Sequence, residues 1–169
     1  MDRILSKGTE INSFLRKSCY FCDLENILYL CELNLIEKFK LSEREINRLI
    51  YNVYVLKSSK IFKNEFATIL KGELLHDLPS RRKDFYFICL NKSKIFNRKN
   101  PFLKELLFYI LTHELIHLVR FIRYESNFYL KYKWEEEKIV HQLTKIALKD
   151  FTFLPYMRKV FRYFDRIYS

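Results

Sequence analysis

A chain of 169 residues that is 49% hydrophobic and 17% aromatic is too apolar to be disordered, and it suits one domain with a sizeable core. With only two glycines and three prolines, turn formers are too few for a many-stranded sandwich or barrel, so long helices with few connections are favoured. The formal net charge of +11, with a pI near 9.5, makes a field that gathers anionic partners such as nucleic acid, anionic lipid or acidic protein.

The basic residues are dispersed, however, with local clusters at Arg81-Arg82-Lys83, at Asn97-Arg98-Lys99-Asn100 and around Arg158, Lys159 and Arg162. The plainer reading of the charge is a solvated surface that keeps a greasy protein in solution. Abundant Lys and Glu beside scarce Gln and Ala give a thermophile-like balance, one that an AT-rich genome also produces. The opening MDRILSKGTEINSF lacks the apolar run of a secretory signal, and a cytoplasmic protein is expected.

In chain order, residues 10–39 read as helical, with Ile11, Phe14, Leu15, Leu24, Ile27, Leu28 and Leu35 at helical spacing. Three of the four cysteines, Cys19, Cys22 and Cys31, fall in this part, and Cys89 lies later. Cys19 and Cys22 form a single CxxC. Without a second pair this is a weak metal signal, and cysteines among apolar residues usually act as small hydrophobes.

A second helix begins at Ser42, which with Glu45 makes a capping box, and Ile46, Leu49, Ile50 and Val53 supply its apolar stripe. The stretch 61–72 is ambiguous between strand and helix, ended by Gly72. Residues 83–92, KDFYFICLNK, are the best strand in the chain. Pro101 then opens a long helix from about Phe102 to about Tyr124, since proline is tolerated in a first turn. A connection at 126–133 leads to a helix from Trp134 to Lys149, and from Pro155 the C-terminal segment is amphipathic and basic. No repeat or linker divides the chain, so a single domain over 1–169 is expected. Its parts are a helical 1–80, a core at 81–150 and a basic tail at 151–169.

The chemistry concentrates in the long helix, within LTHELIHLVRF. Residues i and i+4 lie one above the other on a helix, so His113 and His117 can offer two imidazole nitrogens to a single ion. Glu114, about 100° round the helix from His113, reaches over the open side of such a site, where a carboxylate can take and return a proton. The helix is apolar almost all round, as a buried helix should be, and buried histidines without a partner are costly. His113, Glu114, His117 and Arg120 also make it a poor membrane span.

This HExxH arrangement resembles the zincin metallopeptidases. The residue six beyond His117 is Arg123 with no glycine nearby, which departs from the metzincin pattern. The resemblance is instead to gluzincins, above all the minimal single-domain ones, whose third ligand is a glutamate on a following helix. The candidates are Glu135, Glu136 and Glu137. With Ile139 at zero, Glu136 falls at about 60°, inside the stripe of Leu143, Ala147, Val140 and Ile146, while Glu135 lies at one edge and Glu137 beyond the other.

Glu136 leaves 18 residues after His117, as in aminopeptidase-type gluzincins, and Glu137 leaves 19, as in thermolysin-like ones. Glu136 is the preferred ligand, Glu137 the alternative and His141 a distant third. His141 also occupies the place where thermolysin-like enzymes carry an Asp that steadies the first histidine. His141 and His76 are otherwise read as surface or satisfied core histidines.

The resemblance covers residues 105–145 and the strand before them. It implies an α+β, predominantly helical fold: a zincin-like core with a central HExxH helix, a following glutamate helix and a small upstream sheet. It further implies Zn2+ as cofactor, a peptide or protein substrate held against an edge strand (Asp84 to Asn91 being suitably placed), and hydrolysis of a peptide or other amide bond with Glu114 as general base. Tyr124 or Tyr129 would stabilise the oxyanion. Two other functions fit the same residues: a zincin-fold metal-binding protein without protease activity, and a basic nucleic-acid-associated protein with a structural metal.

Overall fold

The structure, a computed structural model, describes residues 20–57, 60–62, 65–73, 84–97, 100–130 and 134–169. Cys19, His76, the Arg81-Arg82-Lys83 cluster and Arg98-Lys99 lie outside the described residues. The elements in chain order are α1 (Tyr20–Phe39), α2 (Glu43–Arg48), β1 (Tyr51–Leu56), β2 (Ala67–Glu73), β3 (Asp84–Asn91), α3 (Lys92–Ile95), α4 (Leu103–Ile122), α5 (Trp134–Ala147) and α6 (Met157–Tyr168). The fold is therefore mostly helical with one small sheet, the α+β class expected.

The centre is α4. Every residue from Glu105 to Val119 is buried, because α1, α5, α6 and β2 all pack against this helix. From α1 the stripe Leu24, Ile27, Leu28, Cys31 and Leu35 enters the core, and from α6 Met157, Val160 and Phe164 do so. Cys31 and Cys89 are buried in this interior and form no disulfide. Cys31 accepts a hydrogen bond from Thr112 Oγ1 (3.4 Å), and burial pushes its thiol up to about 12, the behaviour of a packing residue and not of a nucleophile. None of the helices among the described residues is long and apolar enough to cross a membrane.

Two sequence expectations change. The helix that Ser42 caps ends at Arg48, and the predicted continuation to Val53 is strand β1 instead. The capping box itself is present. What overrides the helix is the alternation in YNVYVL, where Tyr51 and Val53 are buried while Asn52 and Tyr54 are not, a period of two with β-branched and aromatic residues. The ambiguous stretch at 61–72 resolves into a short 3-10 turn, Lys60–Phe62, followed by β2.

The second change concerns the sheet edge. Strand order is β1-β3-β2, with β1 parallel and β2 antiparallel to β3. Asp84–Asn91 is the middle strand, with both rows of backbone groups committed to neighbours, so it cannot receive an extended substrate. The edge strand nearest the buried helix is β2.

With so few glycines, the helix ends are closed by other residues. Lys40 after α1 (φ 49°) and Tyr124 after α4 (φ 57°) adopt the left-handed conformation, at a cost of roughly 1 kcal/mol each. Arg123 offsets this by joining three elements: it donates to the Phe39 carbonyl at the end of α1 (2.9 Å) and to Glu45 of α2 (2.6 Å). The Arg123 bond to Glu45, with those from Ser42, holds the Glu45 carboxyl down at about 2 from its ordinary 4.5. A depressed folded-state pKa stabilises the fold above the unfolded value and loses that contribution as the proton is taken up. Stability is therefore expected to fall as pH drops from 4.5 toward 2, and Glu45→Gln should flatten that part of a denaturation-versus-pH series.

Candidate metal centre

Tyr109, His113, His117 and Phe121 recur every fourth residue along α4 and so line one face of it. Their rings make a column: His113 stacks between Tyr109 (centroids 5.8 Å, 29°) and Tyr168 of α6 (5.8 Å, 12°), and Phe121 stacks on His117 (6.0 Å, 29°). The two imidazoles are 5.0 Å apart and nearly perpendicular. Helix α5 crosses this face and brings a carboxylate to both Nε2 atoms, and that carboxylate is Glu137. Its oxygens lie 3.0 Å from His113 Nε2 and 3.3 Å from His117 Nε2. Imidazole nitrogens from His113 and His117 and a Glu137 oxygen all fall within 4.8 Å of one another.

The structure exchanges the places expected of the two glutamates. Glu136 is buried, as its place in the apolar stripe of α5 predicts, but its partner is Arg120 on α4. The guanidinium donates to both Glu136 oxygens, at 2.8 and 2.9 Å, a bidentate pair that occupies the carboxylate. The nearest approach of Glu136 to a histidine is 3.9 Å, at His117 Nδ1. Glu135 is exposed. The wheel argument located the buried glutamate correctly, but Arg120, not the histidines, is the reason for its burial. Arg120 stands one turn beyond His117 and faces the same neighbouring helix.

Glu137 carries the electrostatics of the site. Burial opposes its charge, yet hydrogen bonding and attraction from His113 and His117 hold its carboxyl far below the usual range. At His113, burial likewise disfavours the charged ring, and the Glu137 and Glu114 carboxylates outweigh it, so its pKa lies above the ordinary value. The Nδ1 atoms of both histidines are buried with no hydrogen-bond partner. Glu114, also buried, projects into the same cavity, a space of about 320 Å³ lined by the three donors, Tyr109, Tyr168 and residues 65–68 at the start of β2. No described residue donates a hydrogen bond to it.

A divalent ion fits this set. Two neutral imidazoles and one carboxylate are a usual donor set for zinc with a position left open, and ligands at ~2.0–2.1 Å in a tetrahedral shell stand roughly 3.3–3.4 Å apart. The 3.0 Å from His113 Nε2 to Glu137 Oε2 and the 3.3 Å from His117 Nε2 to Glu137 Oε1 are near that edge length, and one donor atom from each residue lies within 4.8 Å of the other two.

The remaining candidates are placed elsewhere. Tyr124 and Tyr129 are 82% and 83% exposed, outside the cavity, and the Tyr124 hydroxyl instead accepts from Arg48 (2.8 Å). The tyrosines that do line the cavity are Tyr109, Tyr163 and Tyr168. His141 neither joins the donor set nor touches His113 by a hydrogen bond. Its Nδ1 meets the Tyr109 hydroxyl (2.6 Å) and its Nε2 meets Asp165 (2.9 Å). With Nε2 protonated toward Asp165, Nδ1 accepts from Tyr109, so the ring fixes the tyrosine that stacks on His113. Burial keeps the Tyr109 and Tyr168 phenols well above their ordinary pKa, so both stay neutral. Cys22 lies in α1.

Compared with protein-family models, with curated proteins and with solved structures, the chain matches none.

Proposed function

We propose that this protein is a zinc-dependent hydrolase of peptide or other amide bonds, built on the gluzincin plan, with His113, His117 and Glu137 holding the metal and Glu114 as general base. The observation that carries this reading is the convergence of two buried imidazole Nε2 atoms on one carboxylate, with a second buried carboxylate, free of hydrogen-bond donors among the described residues, in the same cavity. A zinc ion bound there would polarise a substrate carbonyl and lower the pKa of water.

The chain's own groups supply the rest. Glu114 takes the proton of the attacking water and returns it to the leaving nitrogen. Glu137, held by both histidines, keeps negative charge beside the cation. Tyr109 and Tyr168, neutral and packed on His113, fix the plane of that ring, and Tyr109 is itself fixed through His141 and Asp165. Strand β2, at the sheet edge, bounds the cavity through Ala67 and Thr68, and an extended substrate would lie along that side.

The test is a peptide mixture incubated with zinc-loaded protein and read by mass spectrometry. Cleavage is expected, abolished by a chelator and restored by added zinc. Cleavage that persists in protein shown to be metal-free, or none from fully loaded protein, would overturn the reading.

A further inference from the structure

Helix α6 turns one face inward and the other to solvent. Met157, Val160 and Phe164 are buried, packed against α4 and α5. On the outer side, residues four apart fall into two adjacent rows. Arg158, Arg162 and Arg166 make one row, Lys159, Tyr163 and Ile167 the other, and all six are exposed. A rise of about 6 Å between members of a row sets the three guanidiniums along roughly 12 Å of surface.

The one carboxylate of the helix, Asp165, does not neutralise them. Its Oδ1 accepts from Lys145 Nζ at 2.7 Å and lies 2.9 Å from His141 Nε2, both groups of α5. Arg158, Lys159, Arg162 and Arg166 have no carboxylate partner among the described residues. Lys159 Nζ instead lies 5.2 Å from the centre of the Tyr156 ring. Between the cations, Tyr163 is 48% exposed, its ring held at 79° to Phe66 and 88° to Phe164.

We infer that this outer face of α6 binds single-stranded nucleic acid, with the arginine row on backbone phosphates and a base stacked on Tyr163. Guanidinium pairs with phosphate oxygens through two parallel hydrogen bonds, so an unneutralised row of arginines favours a polyanion with regularly spaced phosphates. A half-exposed ring is a platform that unpaired bases reach and stacked, paired ones do not. An anionic bilayer is a poorer fit. A helix lying on lipid sinks its apolar face, and here that face is buried in the protein. Such binding needs neither the metal nor turnover.

The net charge of +11 draws any polyanion, so the local face has to be separated from the overall field. Fluorescence anisotropy of a fluorescein-labelled oligothymidylate with the whole chain does this. Roughly micromolar binding at low salt is expected, weakening with a log–log salt slope of about −2 to −3, as three or four phosphate contacts require. A DNA duplex with the same number of phosphates should bind at least about fivefold more weakly, because its bases cannot reach Tyr163. Overall charge alone would favour the duplex, whose charge density is higher.

Replacing Arg158, Arg162 and Arg166 together by Gln should make the slope shallower by about 2. Arg44→Gln, Lys57→Gln and Lys60→Gln together remove the same charge from exposed positions elsewhere and should leave the slope largely unchanged. Tyr163→Leu should weaken binding at least about fivefold at constant slope, and Tyr163→Phe should retain it. Circular dichroism checks each fold. No binding of oligothymidylate at low salt, tighter binding of the duplex, or equal losses in the two triple variants would overturn the inference. So would a face that binds phosphatidylserine vesicles through the same arginines and leaves oligothymidylate free.

Discussion

Glu137→Ala is expected to lose the metal ion, and Glu136→Ala to keep it. Glu137 is the carboxylate within 3.0 and 3.3 Å of the two histidine Nε2 atoms, so its removal takes away one of three protein ligands. Loss of an outer partner of a metal ligand typically weakens binding roughly 10–100-fold, and loss of the ligand itself should exceed that.

Glu136 answers to a different partner. Its removal leaves the Arg120 guanidinium, held in a largely buried setting, with Glu125 as its one acidic partner among the described residues. The expected cost is about 2–3 kcal/mol, the scale of buried hydrogen bonds to charged groups, or a melting temperature lower by roughly 5–10 °C in a domain of this size. Glu136→Gln, which keeps the side chain's shape and one acceptor, should lose less. The two adjacent glutamates thus give different signatures: loss of zinc affinity at 137, where the two buried histidines also lose their partner, and loss of stability with affinity retained at 136. Isothermal titration with zinc and thermal denaturation of the metal-free proteins separate them.

Glu114→Gln should abolish turnover while leaving metal and fold intact. Glutamine has the size of the glutamate it replaces but cannot accept a proton at neutral pH. No described residue donates a hydrogen bond to Glu114, so neutralising it breaks no such bond. General acid–base catalysis contributes roughly 10²–10⁴-fold, and a fall of that size in kcat, with zinc content unchanged, is the expected outcome. A variant that loses zinc would make Glu114 part of the binding set. One that keeps its rate would remove it from the chemistry.

Much of this site could be read from residues alone, and the limits are instructive. The i, i+4 spacing of His113 and His117 and the all-round apolar character of α4 depend only on local periodicity, and both are as expected. So is the burial of Glu136. Which glutamate faces the histidines depends on how α5 is rotated against α4, and that is set by the Arg120–Glu136 pair, a contact between residues 16 apart that helical periodicity within either helix does not show.

Strand β3 was evident as a short run rich in aromatics, but its central position was not, because sheet order arises from pairing with β1 and β2. The helix predicted to run to Val53 failed where a good N-cap met a strand pattern, and the cap decides only where a helix begins. Tyr109 was visible one turn before His113, whereas Tyr168 reaches His113 only through the packing of α6, which no local pattern encodes.

The central claim is that one metal ion sits among His113, His117 and Glu137. Elemental analysis of the purified wild-type protein, dialysed after exposure to zinc, measures it directly. About one zinc per chain, falling to background in the His113→Ala protein, is the predicted result. A wild-type chain that retains no metal after zinc is supplied would contradict the account, and the column of histidines and tyrosines along α4 would then be packing alone.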